Sequence, residues 1–161
     1  MSLNKRGIGI VRVSSARQLK GYTIETQKHI IKEICKKENI QLLGIKKFLA
    51  ISGRKEDSIK TYMNNIKKLI KEHNANCLIL WKTSRLGRLL PEIYANVKDL
   101  VDNYIDTIYT QNLIITKKSF ILFEKRCMLY MNFMIDEAEG YSIFERMLEG
   151  KKTKKRLEEN A

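Results

Sequence analysis

Short apolar runs alternate with longer amphipathic segments along most of this chain. Gly7-Ile8-Gly9-Ile10-Val11-Arg12-Val13 is short and rich in β-branched residues, which predicts a buried strand over 7–13. Ile24, Gln27, Ile30, Ile31 and Ile34 then recur at helical spacing with lysines on the other face, and Thr23 is suited to cap that helix. Gln41 to Ile45 opens a second strand that reaches Phe48. Ser52-Gly53-Arg54-Lys55-Glu56-Asp57 reads as a loop. Ile59, Tyr62, Ile66, Leu69 and Ile70 mark a second amphipathic helix that stops near His73-Asn74. Cys77-Leu78-Ile79-Leu80-Trp81 is an uninterrupted apolar run, as expected of a central parallel strand. Pro91 fits the first position of a helix with Ile93, Tyr94, Val97, Leu100 and Val101 on its apolar face. Ile105 to Tyr109 predicts a fourth strand, and Leu113 to Thr116 a short fifth.

The βαβαβαβ order predicts an α/β fold: a three-layer domain with a mostly parallel, four- to five-stranded sheet flanked by helices. From Ser119 to Gly150 there is no proline and no turn signal apart from Gly140, so this stretch predicts one helix of roughly 45 Å. Its apolar residues occupy more than one face, and a helix of that length overhangs a domain of this size. It is therefore expected to be a long C-terminal oligomerisation helix. Its methionines suit a surface that repacks between partners. The expected organisation is an α/β core over 1–118, the interface helix over 119–150, and a basic tail or linker stub over 151–161.

Composition sharpens this picture. The 161 residues include 31 Lys plus Arg against 18 Asp plus Glu, a formal charge of +13. Such an excess points to a polyanion, most often nucleic acid; the plainer account is a lysine-rich solvated surface. Cys35, Cys77 and Cys127 are widely spaced without a CxxC pair, which suits small buried hydrophobes in a reducing compartment rather than a metal or disulfide framework. His29 and His73 fall in lysine-rich helical segments and are expected at the surface. No stretch has the unbroken apolar length of a membrane span, so a cytoplasmic protein without membrane association is expected.

Candidate chemistry lies at two strand ends. Arg12, Ser14 and Ser15 end the first strand, and Arg85 and Arg88 follow the third. Open α/β sheets carry their sites at such carboxyl edges. Serine is a weak nucleophile at neutral pH, and neither histidine is placed to serve as its base. Guanidiniums stay charged, bind phosphate in bidentate fashion and stabilise charge on a phosphoryl centre. Together these residues suggest a hydroxyl aimed at a phosphodiester without an obligatory metal. A nucleotide-binding or response-regulator-like domain is disfavoured, because there is no GxxxxGK[ST] loop, no GxGxxG and no acidic cluster for magnesium.

In these residues the chain resembles the catalytic N-terminal domain of the serine recombinase (resolvase/invertase) family, most of all the large members from phages and conjugative transposons. Arg12-Val13-Ser14-Ser15 with Gln18 resembles the family's Arg-Val-Ser-Thr/Ser box, and Gly21-Tyr22-Thr23-Ile24-Glu25-Thr26-Gln27 its Gly-Tyr-Ser-Ile-x-x-Gln stretch. Ser52-Gly53 resembles the turn after the second strand, and Arg85-Leu86-Gly87-Arg88 the Asp-Arg-Leu-Gly/Ser-Arg box without its first residue. Ala138-Glu139, Glu145-Arg146 and Gly150 resemble the long-helix pattern. The resemblance implies that Ser14 attacks the scissile phosphate to give a 5′-phosphoserine link, with Arg12, Arg85 and Arg88 around the phosphate. It implies that Gln27 sits in the same pocket, with Ser15, and that Glu145 supports the site or the interface. The implied partners are double-stranded DNA and further copies of the chain, a dimer that becomes a tetramer in synapsis. No cofactor is implied, and further C-terminal DNA-binding domains follow in the large members. The implied role is DNA integration or transposition.

The chain departs from the family pattern at several points. Ser84 stands where the Arg-Leu box begins with aspartate, and Leu49-Ala50-Ile51 where another aspartate is expected. Ser58 falls where an arginine is expected after the Ser-Gly turn, and Gly140 where one follows Ala138-Glu139. Two accounts follow. In one, Arg54 or Lys55 substitutes for the absent arginine and the protein recombines DNA. In the other, it is a degenerate, non-catalytic relative that acts as a DNA-binding or assembly protein.

Overall fold

Alternation along Arg6–Val13 (β1) sends Ile8 and Ile10 into one hydrophobic cluster and Val11 into another, on opposite faces of a sheet. The computed structural model describes residues 4–13, 24–49 and 56–159. After β1 come α1 (Ile24–Glu38), β2 (Gln41–Leu49), α2 (Glu56–Glu72) and β3 (Cys77–Leu80). A 3₁₀ turn at Thr83–Arg85 leads into α3 (Leu90–Asn103), followed by β4 (Thr107–Tyr109), β5 (Ile114–Ile115), α4 (Lys118–Ile121) and α5 (Phe123–Glu159). The sheet order is β2-β1-β3-β4-β5; all pairings are parallel except the antiparallel β4–β5 pair. This is the mostly parallel sheet the alternation predicted, with helices on both faces.

One face is covered by α1, through Ile31 and Cys35 against Val11, Cys77 and Ile79. Here the strand must come close to the helix: a Cβ on Gly9 would lie 2.8 Å from Ile31 Cγ2. The other face is covered by α2, α3 and the start of α5, through Tyr62, Ile66, Ile93, Val97, Leu129 and Phe133 against Ile8, Ile10, Leu78 and Leu80. Each fully buried aliphatic or aromatic side chain contributes about 1.5–3 kcal/mol. Both α1 and α2 stop at an asparagine. Asn39 and Asn74 take the left-handed conformation (φ 54° and 48°), and the next amides, of Ile40 and Ala75, donate back to the carbonyls of Cys35 and Ile70.

Several boundaries differ from expectation. Strand β4 begins at Thr107 rather than Ile105, β5 is confined to Ile114–Ile115, and α3 begins at Leu90, which puts Pro91 in its second position. Helix α2 begins at Glu56, inside the segment predicted as a loop over 52–57; residues 50–55 lie outside the described residues, as does the expected cap Thr23. The long helix does not begin at Ser119. The chain makes one short turn over Lys118–Ile121, Leu122 breaks it in an extended conformation (ψ 124°), and α5 starts at Phe123. The segment expected as a basic tail from Lys151 is instead helical to Glu159. It carries Lys154–Glu158 and Lys155–Glu159 pairs one turn apart, so its support comes from charge rather than apolar spacing. The 37 residues of α5 span about 55 Å. Leu129, Phe133 and Asp136 face the core, while Met128, Met131, Met134 and Ile135 are exposed.

His29 and His73 are exposed, Cys35 and Cys77 buried, and Cys127 partly buried. Burial pushes the Cys77 thiol up to about 12, reinforced by nearby Cys35.

Candidate active site

Parallel pairing of β1 with β3 places their carboxyl ends on one edge of the sheet. Arg12 lies near the end of β1, and beyond β3 the chain passes through Trp81 and Lys82 into the turn that ends at Arg85. The two arginines meet. Arg12 Nη1 donates to the Arg85 carbonyl at 3.2 Å, and Arg85 Nη1 donates to the Arg12 carbonyl at 2.7 Å. Each carbonyl also accepts a second bond, which uses both lone pairs. The Tyr62 hydroxyl donates to the Arg85 carbonyl at 2.8 Å, and Gln27 Nε2 donates to the Arg12 carbonyl at 3.2 Å. Gln27 also accepts from the Arg12 amide at 3.4 Å, so this buried carboxamide lies along the strand's backbone.

Aromatic faces flank both cations. The guanidinium carbon of Arg12 is 5.4 Å from the Tyr62 ring centre, and that of Arg85 is 5.1 Å from the Trp81 ring. Burial pushes the Arg85 guanidinium down to about 10, and the charge of Arg12 acts in the same direction, against Tyr62 and Asp136. Burial also lowers Arg12, which Tyr62 opposes and Arg88 reinforces. Tyr62 is pushed up to about 12 by burial, against the pull of Arg12 and Arg85. At neutral pH both arginines remain charged and the phenol remains a donor. Arg85 Nε is buried and has no hydrogen-bond partner among the described residues. Clustered guanidiniums at a sheet edge form an electropositive spot that suits an oxyanion.

The segment from Lys82 to Leu90 carries Arg85 and Arg88 and is held at several points. Thr83 donates through its amide (2.9 Å) and its hydroxyl (2.5 Å) to Asp136 Oδ2 on α5. Lys82 pairs with Glu139, and the Leu90 amide donates to Glu137 at 3.0 Å. Asn96 donates to the Leu86 carbonyl at 2.6 Å, and the Arg88 amide to Glu92 at 2.6 Å. Gly87 sits where a Cβ would come within 2.9 Å of the Ile93 amide nitrogen.

Of the residues the sequence singled out, Arg12, Gln27 and Arg85 are brought together, and Arg88 acts electrostatically on Arg12. Glu145 is exposed on α5, nearly two turns beyond Glu139. Ser14, Ser15, Arg54 and Lys55 lie outside the described residues; Ser14 directly follows Val13, the last residue of β1. Tyr62, Trp81 and Asp136 were missed as site residues. In the sequence Tyr62 and Trp81 stand out only as apolar positions, and the one signal for Asp136 is a lone carboxylate in the run Phe133-Met134-Ile135-Asp136. Among the described residues no group of His, Cys, Asp or Glu is assembled that could hold a metal ion, and no helix is long and apolar enough to cross a membrane.

The family model described as Resolvase, N terminal domain matches residues 7–160. Among solved structures, the N-terminal catalytic domain of TP901-1 integrase is similar with a TM-score of 0.57 and 21% identity, covering 90% of this chain and 99% of that one. A resolvase family site-specific recombinase from Streptococcus pneumoniae has a TM-score of 0.56 and 19% identity, covering 95% of this chain and 99% of that one. The C-terminal catalytic domain of ISC1926 TnpA, an IS607-like serine recombinase, has a TM-score of 0.50 and 16% identity over 65% of this chain and 68% of that one. At these identities the likeness is one of fold. No curated protein sequence matches.

Proposed function

Because the chain belongs to the resolvase N-terminal-domain family, the serine recombinases, we propose that it cuts and rejoins double-stranded DNA through Ser14, in DNA integration or transposition. The Ser14 oxygen forms a bond to the scissile phosphorus while the bond from phosphorus to the 3′ oxygen breaks. The serine proton passes to that oxygen, which leaves as a 3′-hydroxyl, and the 5′ end stays on the protein as a phosphoserine. Religation reverses these steps on a new 3′-hydroxyl. The phosphodiester energy is kept in the serine link, so no nucleotide cofactor is consumed.

Arg12, Arg85 and Arg88 bind the phosphate and stabilise the charge that grows on its oxygens. Arg54 or Lys55 adds a further cation, Ser15 a hydroxyl beside the phosphate, and Gln27 fixes the backbone from which Ser14 emerges. The formal charge of +13 favours the DNA backbone generally. Residues up to 118 act as the catalytic core, and α5 joins copies of the chain, as a dimer and, in synapsis, a tetramer. Exposed Met131 and Ile135, and Glu145 further along, contribute to that interface.

The observation that carries this proposal is the reciprocal Arg12–Arg85 pair on the sheet edge where β1 leads into Ser14. The test is incubation of the chain with a pool of randomised duplexes, each nicked so that cleavage cannot be reversed. An SDS-resistant, protease-sensitive DNA adduct is expected, and it should vanish in Ser14→Ala. A protein that assembles and retards duplex DNA but never forms the adduct would instead be a non-catalytic binding or assembly protein.

A further inference from the structure

Asp136 occupies an unusual place. Along α5 the inward positions Leu129 and Phe133 are fully buried, and the next is this carboxylate, 9% exposed. Placing a charge where an apolar side chain would pack costs desolvation unless the charge is well bonded. Here one oxygen, Oδ2, accepts both the amide and the hydroxyl of Thr83. Two donors from one residue on one acceptor fix both the position and the rotation of that residue. Thr83 is the first residue of the three-residue turn that ends at Arg85. Lys82 donates to Glu139 and the Leu90 amide to Glu137, and these bonds hold the two ends of the same segment.

We propose that Asp136 is a positioning residue for Arg85, a carboxylate supplied by the long helix to a turn whose own sequence has Ser84 where an acid is expected. This rests on the reading that Arg85 binds the scissile phosphate. The negative charge of Asp136 also works on Arg85 directly, opposing the effect of burial on the guanidinium. The guanidinium is held at its far end by the Nη1 bond to the Arg12 carbonyl and by the Trp81 ring, while its buried Nε has no hydrogen-bond partner among the described residues. Where the turn places the Arg85 backbone therefore decides whether those contacts and the Nε direction are kept.

The full chain is compared with Asp136→Asn, Thr83→Val and Thr83→Ser by two measurements. The first is the Arg85 Nε–Hε signal in a nitrogen-15 spectrum, assigned by its loss in Arg85→Lys, with and without inorganic phosphate. The second is the rate of Ser14–DNA adduct formation against DNA concentration. Asp136→Asn is expected to move the Arg85 signal, speed its exchange with water and weaken its response to phosphate. It is also expected to slow adduct formation at saturating DNA about a hundredfold, the scale of a misplacement near 1 Å, with half-saturation changed by less than about threefold. Thr83→Val, which keeps the amide bond and the packing, should fall between, and Thr83→Ser should match the wild type. An Asp136→Asn protein that melts earlier but keeps the Arg85 signal, the phosphate response and the rate per folded molecule would make Asp136 a fold anchor only, and would overturn the proposal. Should Asp136→Asn fail to fold, Thr83→Val decides by the same measurements. Absence of any wild-type adduct would defeat the recombination reading, while the Arg85 signal would still decide the positioning role.

Discussion

Arg12 and Arg85 each give a guanidinium hydrogen to the other's main-chain carbonyl, at 3.2 and 2.7 Å. Two side chains of like charge thereby tie the end of β1 to the turn beyond β3. Their repulsion is offset by the carbonyl dipoles and by the ring faces of Tyr62 and Trp81. A guanidinium carries five N–H donors, and this pairing engages one from each, so the contact that sets the geometry leaves the fork itself as the anion-binding feature.

Replacing Arg85 with lysine keeps the charge and removes the fork. The variant loses the bond to the Arg12 carbonyl, a charge-assisted one, at a cost of about 1.5–3 kcal/mol. Calorimetry is expected to show melting lowered by roughly 2–4 °C per kcal/mol in a chain of this size. Adduct formation should fall by about a hundred- to a thousandfold, the scale seen when one preorganised donor to a developing oxyanion is lost. Affinity for duplex DNA at fixed salt should change little, because the net charge is the same.

Tyr62→Phe separates the phenol from its ring. The Arg85 carbonyl still accepts from Arg12, so no acceptor is orphaned, and the cost should be that of one ordinary hydrogen bond, about 1 kcal/mol. The pH dependence has a definite sign. Burial raises the Tyr62 phenol from an ordinary value of 10.0 to about 12. Between those values the folded chain holds a proton that the unfolded chain has lost, so stability falls as pH rises. The Tyr62 contribution is complete below the unfolded value and is lost as pH passes through the folded one. Urea unfolding at about pH 8 and about pH 11 should show the wild type losing its advantage over Tyr62→Phe at the higher pH. A difference that is constant across that range would contradict the burial of the phenol.

Gly87→Ala tests how tightly the arginine-bearing segment lies on α3. An added Cβ would meet the Ile93 backbone nitrogen at 2.9 Å and Ile93 Cγ1 at 3.0 Å. A backbone atom at the start of a helix cannot step aside as a side-chain end can, so the segment must move outward. The expected cost is about 1–3 kcal/mol, read by thermal or urea unfolding. Because Gly87 lies between Arg85 and Arg88, the phosphate response of the Arg85 signal should weaken as well. Wild-type stability and response would show that the segment has slack.

The sheet was legible because its signals are local. The β-branched run of β1 and the unbroken apolar run of β3 specify buried parallel strands, and arginines just past those runs must fall on one edge. The meeting of Arg12 with Arg85 followed from that topology. Tyr62 was not legible as a site residue, since a tyrosine at helical spacing reads as core and periodicity says nothing of where its hydroxyl points. Asp136 is a further case: its partner Thr83 lies 53 residues away, and only the packing of α5 across the turn joins them. The Leu122 break and the helical end of α5 escaped because neither carries a proline or glycine signal at the right place. A solvated helix held by charge pairs has no apolar period to detect.

The outward stripe of α5 gives a prediction about assembly. Met128, Met131 and Ile135 recur at spacings of three and four residues, the seam of a helix that packs on another helix. Met131 is 62% and Ile135 53% exposed in the single chain, so neither supports the fold. Asp substitutions at these two positions are expected to change the stability of the isolated chain by no more than about 0.5 kcal/mol, as for other surface positions. If α5 joins copies of the chain, sedimentation should show the wild type as a dimer or larger species and the Met131→Asp/Ile135→Asp variant as a monomer with unchanged melting. The same variant should lose adduct formation wherever cleavage depends on assembly. Identical sedimentation of the two proteins would place the interface elsewhere.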